Sequence, residues 1–495
     1  MSEDLFSLPE FKSVLANPSR QKLRELAKKD ETTTDYGAPS YITRVRSRSA
    51  KFTKNSIDQG FSQEDLEEMK KLRSYLKEKG EMLQIDRKMG RTEAFHCRLY
   101  VSKEFARIGL GWSELLEEWN GNGKPDMVTV MVPEWPVIKI LVEAEKAITF
   151  IMGSDYTGEA KKSFLRMWMY LVKKKGWLGL HAGSKLLHLK QNNGSIHKIG
   201  QLYFGLSATG KSTLTGHGFY LREPEKAELI QDDVVALKPD GFCIGTEGKG
   251  LYIKTEGISR EEQPELYHAV TQKSAFLENI AVDSKGKVDF NDFALTSNGR
   301  AVVQRSELCN AAKEIDMERA DQLFFITRNP IMPPIARLNP KKAGVAFMLG
   351  ESVESSAGDP TKAGQSVRVV GTNPFIMGKP GFEGNLLVEI LAKNQAMECY
   401  IINTGFVGEG SERAKVRVPD TVGFIERAAR KAIEWVEDKE LLLEIPREIV
   451  GSPFDPRSHY SKEEFAEKIL KLRLERKEWL ERFPELKPEI KKEIY

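Results

Sequence analysis

Short apolar runs alternate with amphipathic stretches along most of the chain, and that alternation predicts an α/β protein. Residues 97–101, 127–132 and 137–142 are β-rich blocks bounded by Pro, Gly and Asn, which predicts strands. Residues 159–172 return to helical spacing. A second series of strand-like runs falls at 202–204, 228–230, 234–237, 323–326 and 399–402. The flanks are more polar. Residues 10–29 and 62–79 have helical spacing, with Ser62 through Asp65 forming a helix start. Residues 421–495 read as mainly charged helices, in which Ser461 and Glu464 form a capping box and Phe465, Ile469 and Leu472 an apolar stripe suited to packing.

A small, polar stretch at 350–366 interrupts the second series, and reads either as a binding lid or as an ordinary surface insertion. The 495 residues suit two or three domains. The expected boundaries are an N-terminal α/β domain over 1–198, a second α/β domain over 199–430 and a helical C-terminal extension over 431–495.

Composition narrows the choice of class. With 40% hydrophobic and 30% charged residues the chain can build a core, which excludes global disorder. Seventy-five basic against 72 acidic side chains leave +3, too little for a protein that coats nucleic acid. Cys97, Cys243, Cys309 and Cys399 form no CxxC pair, which argues against a zinc ribbon and fits a reducing compartment. The first residues lack a signal-peptide pattern and the longest apolar runs are too short to cross a bilayer. The expectation is a cytoplasmic protein acting on small molecules, without nucleic-acid or membrane partners.

The most specific chemistry lies after the run 202–204. Gly205, Leu206, Ser207, Ala208, Thr209, Gly210, Lys211 and Ser212 match GxxxxGK[ST] at every fixed position, with Thr213 following. Such a loop turns backbone N–H groups toward phosphate oxygens, aims its lysine at the β/γ-phosphates and offers its serine hydroxyl to Mg²⁺. Gly216 and Gly218 follow closely, so the next helix must be short. Asp232 and Asp233 end the strand-like run 228–230, where nucleotide enzymes hold a divalent cation. On residue pattern alone, Lys161 and Lys162 also read as a solvated helix face, and His181 as a core histidine.

Taken together, 205–214, Asp232 with Asp233, and 153–162 resemble the phosphoenolpyruvate carboxykinases. Further similar stretches, in the family's order, are Leu180 with His181, 276–279, 298–300, 332–338 and 402–408. The resemblance covers roughly 90–430 and is nearer to the ATP-using branch, since the GTP-using branch carries a cysteine in its loop. It implies a two-domain fold: a substrate-binding N-terminal domain, a phosphate-loop mononucleotide-binding domain with its lid near 350–366, and a site in the cleft between them. The implied reaction turns oxaloacetate and ATP into phosphoenolpyruvate, ADP and CO₂ with two divalent cations, Mn²⁺ and Mg²⁺.

The resemblance also implies residue roles. Lys162, His181 and Asp233 would hold Mn²⁺, the positive charge of Lys161 favouring a neutral Lys162. Ser212 would bind Mg²⁺ with Asp232 nearby, and Lys211 and Ser207 would meet the phosphates. Arg300 would grip substrate carboxylate and γ-phosphate, a task suited to a bidentate donor. Tyr156 would lie against substrate or departing CO₂. Arg91 is the candidate N-terminal substrate arginine, with Arg98 its rival. Lys415 and Thr421 would meet the adenine. The chain departs from the family pattern at Ala208 and Thr157, where glycine is usual, and around Tyr252, where Lys-Gly-Leu-Tyr replaces Gly-Cys-Tyr. The alternative is an ATP-dependent kinase of another small-molecule or protein acceptor; a nucleotide sensor without activity is a third reading.

Overall fold

The computed structural model describes residues 4–46, 50–206, 209–261, 263–353 and 366–495. It is a mixed α/β protein with several sheets. Contacts divide the chain into two compact units, Met1–Leu171 with Thr246–Ala311, and Val172–Gly245 with Ala312–Tyr495.

In the first unit a mixed sheet runs in the order Ser13–Ala16, Glu81–Met89, Phe95–Ser102, Met127–Val132, Ile148–Met152, Lys139–Glu143 and Thr53–Asn55. Helix Gln63–Lys79 starts from a complete Ser62–Asp65 capping box. It buries Met69, Leu72 and Leu76 against Tyr100, Val130 and Phe150. One expectation fails here: residues 10–29 are not one helix. Ser13–Ala16 pairs in parallel with Glu81–Gln84, and only Arg20–Leu26 is helical. Pro18 accounts for this, because it bars the α region to the residue before it. Asn17 takes φ +44°, and the helix begins anew from the cap Ser19.

A second sheet of this unit has the order Gly250–Lys254, Arg300–Gln304, Phe276–Glu278, Pro39–Tyr41 and Thr32–Thr33. Its register sets Tyr252 opposite Val302 and Glu278 opposite Arg300.

The second unit is built on an eight-stranded sheet, ordered Lys226–Gln231, Ala182–Lys190, Ile196–Phe204, Gln322–Thr327, Glu398–Asn403, Ile335–Leu338, Leu443–Pro446 and Trp435–Asp438. Its three middle strands, Ile196–Phe204, Gln322–Thr327 and Glu398–Asn403, are parallel. From Ile199 onward in the first and throughout most of the other two they are buried on both faces, and there the sequence is largely apolar. Phe204, Phe325 and Ile401 enter one apolar cluster, while Tyr203, Phe324 and Tyr400 enter the other. The latter three form a stacked ladder with centroid spacings of 5.2 Å at each step.

The C-terminal segment corrects a second expectation. Trp435–Asp438 and Leu443–Pro446 are an antiparallel pair at the edge of this sheet, not helix. Cross-strand bonding and burial of Leu443 and Ile445 outweigh the charge-rich local sequence. Helix Lys462–Glu481 does form, from the Ser461–Glu464 capping box, and buries Phe465, Ile469 and Leu472. Arg337, in the neighbouring strand, pairs bidentately with Glu444 at 2.9 and 2.6 Å, a structural ion pair. Among the described residues no helix is long and apolar enough to cross a membrane.

Candidate active site

In the second unit, strand Ile196–Phe204 runs straight into the glycine-rich turn. A Cβ on Gly205 would stand 2.5 Å from Thr209 Oγ1 and 3.1 Å from Ile326 Cδ1, so the turn closes only on glycine. Gly210 has φ +100°, the left-handed region that favours glycine. Ser207 and Ala208 lie outside the described residues. The Thr209 hydroxyl donates to Leu206 O at 2.7 Å, and the Thr404 hydroxyl donates to Thr209 O at 2.7 Å, tying the turn to the end of strand Glu398–Asn403, two places along the sheet. The helix that follows, Lys211–Gly216, is short as expected. Ser212 and Thr213 are exposed on its first turn, and Lys211 is buried.

Lys211 meets two of the other expected residues. Its Nζ lies 3.2 Å from Asp233 Oδ1 and 3.3 Å from His181 Nε2, and those two atoms are 3.1 Å apart. His181 follows strand Leu178–Leu180, and Asp232 and Asp233 follow strand Lys226–Gln231. His181 Nδ1 lies 2.7 Å from Thr372 O. A carbonyl only accepts, so Nδ1 carries the proton and Nε2 presents its lone pair. Burial, joined by the charge of Lys211, holds the imidazole below its ordinary pKa against the opposing pull of Asp233. A lone pair and a carboxylate oxygen therefore converge on one point, which is the donor set a divalent cation needs, with the second ring nitrogen oriented by a backbone carbonyl. Among the described residues, no three His, Cys, Asp or Glu side chains converge in that way.

A groove of about 590 Å³ in the same unit is lined by Arg328, Thr404, Phe406, Glu409, Arg413 and Lys415 among others. Lys415 is exposed and pairs with Phe406 across a two-stranded ribbon, and Arg413 Cζ lies 4.0 Å from the Phe406 ring centroid. Arg328 is absent from the sequence-derived set. Its Nε is buried without a hydrogen-bond partner, so it is poised to donate to an anion. The only sequence signal for it was its place directly after the apolar strand Gln322–Thr327. Thr421 is buried in helix Val418–Ala429, where its hydroxyl donates to Arg417 O at 3.3 Å.

In the first unit, helix Thr157–Lys174 carries Lys161 and Lys162. Lys161 Nζ stands 3.2 Å from each carboxylate oxygen of Glu247, and both residues are buried. Glu247 thus compensates the charge of Lys161. Lys162 Nζ lies 5.6 Å from the Tyr156 ring centroid. Tyr156 OH accepts from Asn298 Nδ2 at 3.3 Å, and Asn298 Oδ1 accepts from Arg300 at 2.8 and 3.2 Å. Arg91 pairs with Glu117 at 2.8 Å and donates to Gly248 O at 3.2 Å, next to Glu247. Its rival Arg98 is engaged elsewhere, with Asp86 at 2.7 Å beside His96. Glu247 and Glu278 carry no role in the sequence reading, because a buried carboxylate whose partners lie far away in the chain has no local signature.

Mixed sheets, a glycine-rich strand-to-helix turn, an imidazole–carboxylate pair against a lysine and separate clusters of cations define a class: a mixed α/β protein equipped to handle anionic, phosphorylated substrates. The particular membership follows from comparison with known proteins. The chain belongs to the phosphoenolpyruvate carboxykinase family, whose model matches residues 12–455. It is 36% identical over 397 residues to a phosphoenolpyruvate carboxykinase (ATP) of Aeropyrum pernix, covering 79% of this chain and 78% of that one. A protein of the same name from Mesorhizobium japonicum is 31% identical over 65% of this chain and 59% of its own. One from Staphylococcus haemolyticus is 26% identical over 77% and 73%. The ATP-dependent enzymes of this family use ATP and divalent cations such as Mn²⁺ and Mg²⁺.

Proposed function

We propose that this protein converts oxaloacetate and ATP into phosphoenolpyruvate, ADP and CO₂. The observation that carries the reading is family membership over residues 12–455 together with the convergence of Lys211, His181 Nε2 and Asp233 Oδ1. In this reaction the bond between C3 of oxaloacetate and its carboxylate breaks and CO₂ leaves. The electron pair delocalises onto the carbonyl oxygen, and that oxygen attacks the γ-phosphorus as ADP departs. Divalent cations supply charge stabilisation at the enolate oxygen and the phosphates.

The residue roles are those that the resemblance to the family implies, and the chemistry of each side chain suits its role. Lys211, at the end of the glycine turn, binds the β/γ-phosphates, with the backbone of 205–210 and the Ser212 and Thr213 hydroxyls around them. Lys162, His181 and Asp233 hold Mn²⁺, and Ser212 and Asp232 serve Mg²⁺. Arg91 and Arg300 bind substrate carboxylates as planar bidentate donors, and Arg300 also meets the γ-phosphate. Proximity of Arg91 to Glu247, the partner of Lys161, favours it over Arg98. Tyr156 lies against substrate, oriented by Asn298. Lys415 stacks on the adenine in the groove, with Arg328 toward the phosphates. Thr421, whose hydroxyl is already turned to Arg417 O, is the weakest member of that set.

On this reading the first unit serves oxaloacetate and the second serves the nucleotide, in a phosphate-loop mononucleotide fold. The lid role falls on 350–366, of which 354–365 lie outside the described residues. Three buried thiols, Cys97, Cys243 and Cys399, fit a reducing, cytoplasmic setting. The test is incubation of the full chain with oxaloacetate, ATP and Mn²⁺, followed by ³¹P NMR. Phosphoenolpyruvate appearing in step with ADP is the expected result. ADP without phosphoenolpyruvate would sink the reading in favour of another acceptor.

A further inference from the structure

Two adjacent strands and a helix bring one aromatic ring against two separate cations. Because Tyr252 faces Val302 and Glu278 faces Arg300, the side chains of Tyr252, Arg300 and Glu278 share one face of the five-stranded sheet. The Tyr252 ring centroid lies 5.6 Å from Arg300 Cζ and 5.5 Å from Lys161 Nζ. Both are within cation–π range.

The ring is itself held. Its hydroxyl donates to Glu278 Oε2 at 2.8 Å, and Glu278 Oε1 accepts the Thr157 N–H at 3.0 Å. Thr157 is the first residue of helix Thr157–Lys174, and Lys161 lies one turn further along it. Glu278 is fully buried, so neither bond is exchanged with water. A single carboxyl thus fixes the ring and the helix start that carries one of the cations the ring faces.

We propose that Tyr252 is a positioning residue that sets the spacing and aim of Lys161 and Arg300 toward the anionic substrate, with Glu278 as its anchor. The inference rests on the carboxykinase reading of the site. The choice of an aromatic ring has a physical reason. A carboxylate between two cations would hold them more tightly but would also neutralise them and compete with substrate carboxylate and phosphate. A ring face attracts both through its quadrupole and leaves their formal charge intact. Glu247 already pairs with Lys161, so a second carboxylate at Tyr252 would cancel the charge the substrate needs.

The test compares Y252F, Y252L and E278Q with the wild-type full chain, in steady-state kinetics with oxaloacetate, ATP and Mn²⁺ and in thermal unfolding. Y252L removes the ring and is expected to raise the KM for oxaloacetate about tenfold, in line with a desolvated cation–π contact. Y252F and E278Q keep the ring but loosen it, and are expected to raise that KM about threefold. In all three the loss falls on KM for oxaloacetate more than on kcat or on KM for ATP, a split that lost stability alone does not produce. A folded Y252L with the wild-type KM for oxaloacetate would overturn the inference. If Y252L does not fold, an unchanged KM in both Y252F and E278Q overturns it. A wild-type chain that forms no phosphoenolpyruvate would instead overturn the carboxykinase reading, and the inference with it.

Discussion

The Lys211 ammonium donates to Nε2 of His181 across 3.3 Å while touching Asp233 Oδ1 at 3.2 Å. One side chain thereby satisfies the lone pair and the carboxylate that a divalent cation would take. Lysine and metal compete for the same two atoms, and a bound nucleotide gives the lysine an alternative partner.

Replacing Lys211 by Met separates those roles. Phosphoryl transfer should fall by on the order of a hundredfold or more, as loss of a preorganised donor to a charged transition state does. Mn²⁺ binding should be as tight as in the wild type or tighter, because the competing ammonium is gone. Electron paramagnetic resonance of free Mn²⁺ measures this directly. Weaker Mn²⁺ binding in K211M would show that the lysine supports the cation site.

The two glycines of the turn fail for different reasons and should do so measurably. At Gly205 an added Cβ collides with Thr209 Oγ1 at 2.5 Å, so G205A must displace the turn and should raise the KM for ATP at least about tenfold, by analogy with a misplaced reacting group. At Gly210 a Cβ meets nothing within 4 Å, but φ is +100°. The cost of G210A is conformational, about 1–2 kcal/mol, and should appear chiefly as a lower unfolding midpoint. Equal effects of the two on KM for ATP would contradict this division.

How much of this was visible in the sequence depends on what each feature needs. The runs 202–204, 323–326 and 399–402 are legible because parallel strands covered on both faces are apolar where they are buried. The phosphate turn is legible because its residues are consecutive. The Ser13–Ala16 strand and the pair formed by Trp435–Asp438 and Leu443–Pro446 are not, because edge strands draw their stability from a partner elsewhere in the chain. Lys161 looks like half of a solvated pair until Glu247 closes on it. Likewise, the alignment of Glu278 with Arg300, and of Leu277 with Ser40 on its other side, is set by long-range register that no local pattern encodes.

A pH-dependent contribution to stability is expected at Asp86. Burial alone would raise its carboxyl, but hydrogen bonds from Arg98, Asn17, His96 and Gln84 outweigh burial and leave it at about 2, below its ordinary 3.8. A depressed carboxyl stabilises the fold at pH above its unfolded value and loses that contribution as pH falls through the folded value. The difference corresponds to about 2 kcal/mol. D86N should therefore unfold at lower denaturant than wild type at neutral pH. The gap should narrow from about pH 4 and close near pH 2, following the same linkage. A gap independent of pH would mean that the amide loses packing rather than charge.

Arg476 offers the sharpest stability test. It is 2% exposed, donates to Glu351 Oε2 at 2.8 Å and to Tyr495 O at 2.6 Å, and stacks 4.3 Å from the Tyr495 ring centroid. Glu351 also accepts from Asn329 Nδ2 at 3.0 Å and lies 3.8 Å from Arg368. Removing the arginine alone leaves a carboxylate short of its main partner in an apolar setting, which typically costs about 3–5 kcal/mol. Removing the charge of both partners avoids that penalty. R476M should thus be strongly destabilised in urea, and R476M/E351Q should recover part of the loss, so that the two changes are markedly non-additive. Arg368 limits the recovery, because in the double variant it loses a nearby negative charge while keeping Glu475, at 3.2 Å. If the double variant is no more stable than R476M, the cost of losing Arg476 lies in its stacking and its bond to Tyr495 rather than in the ion pair.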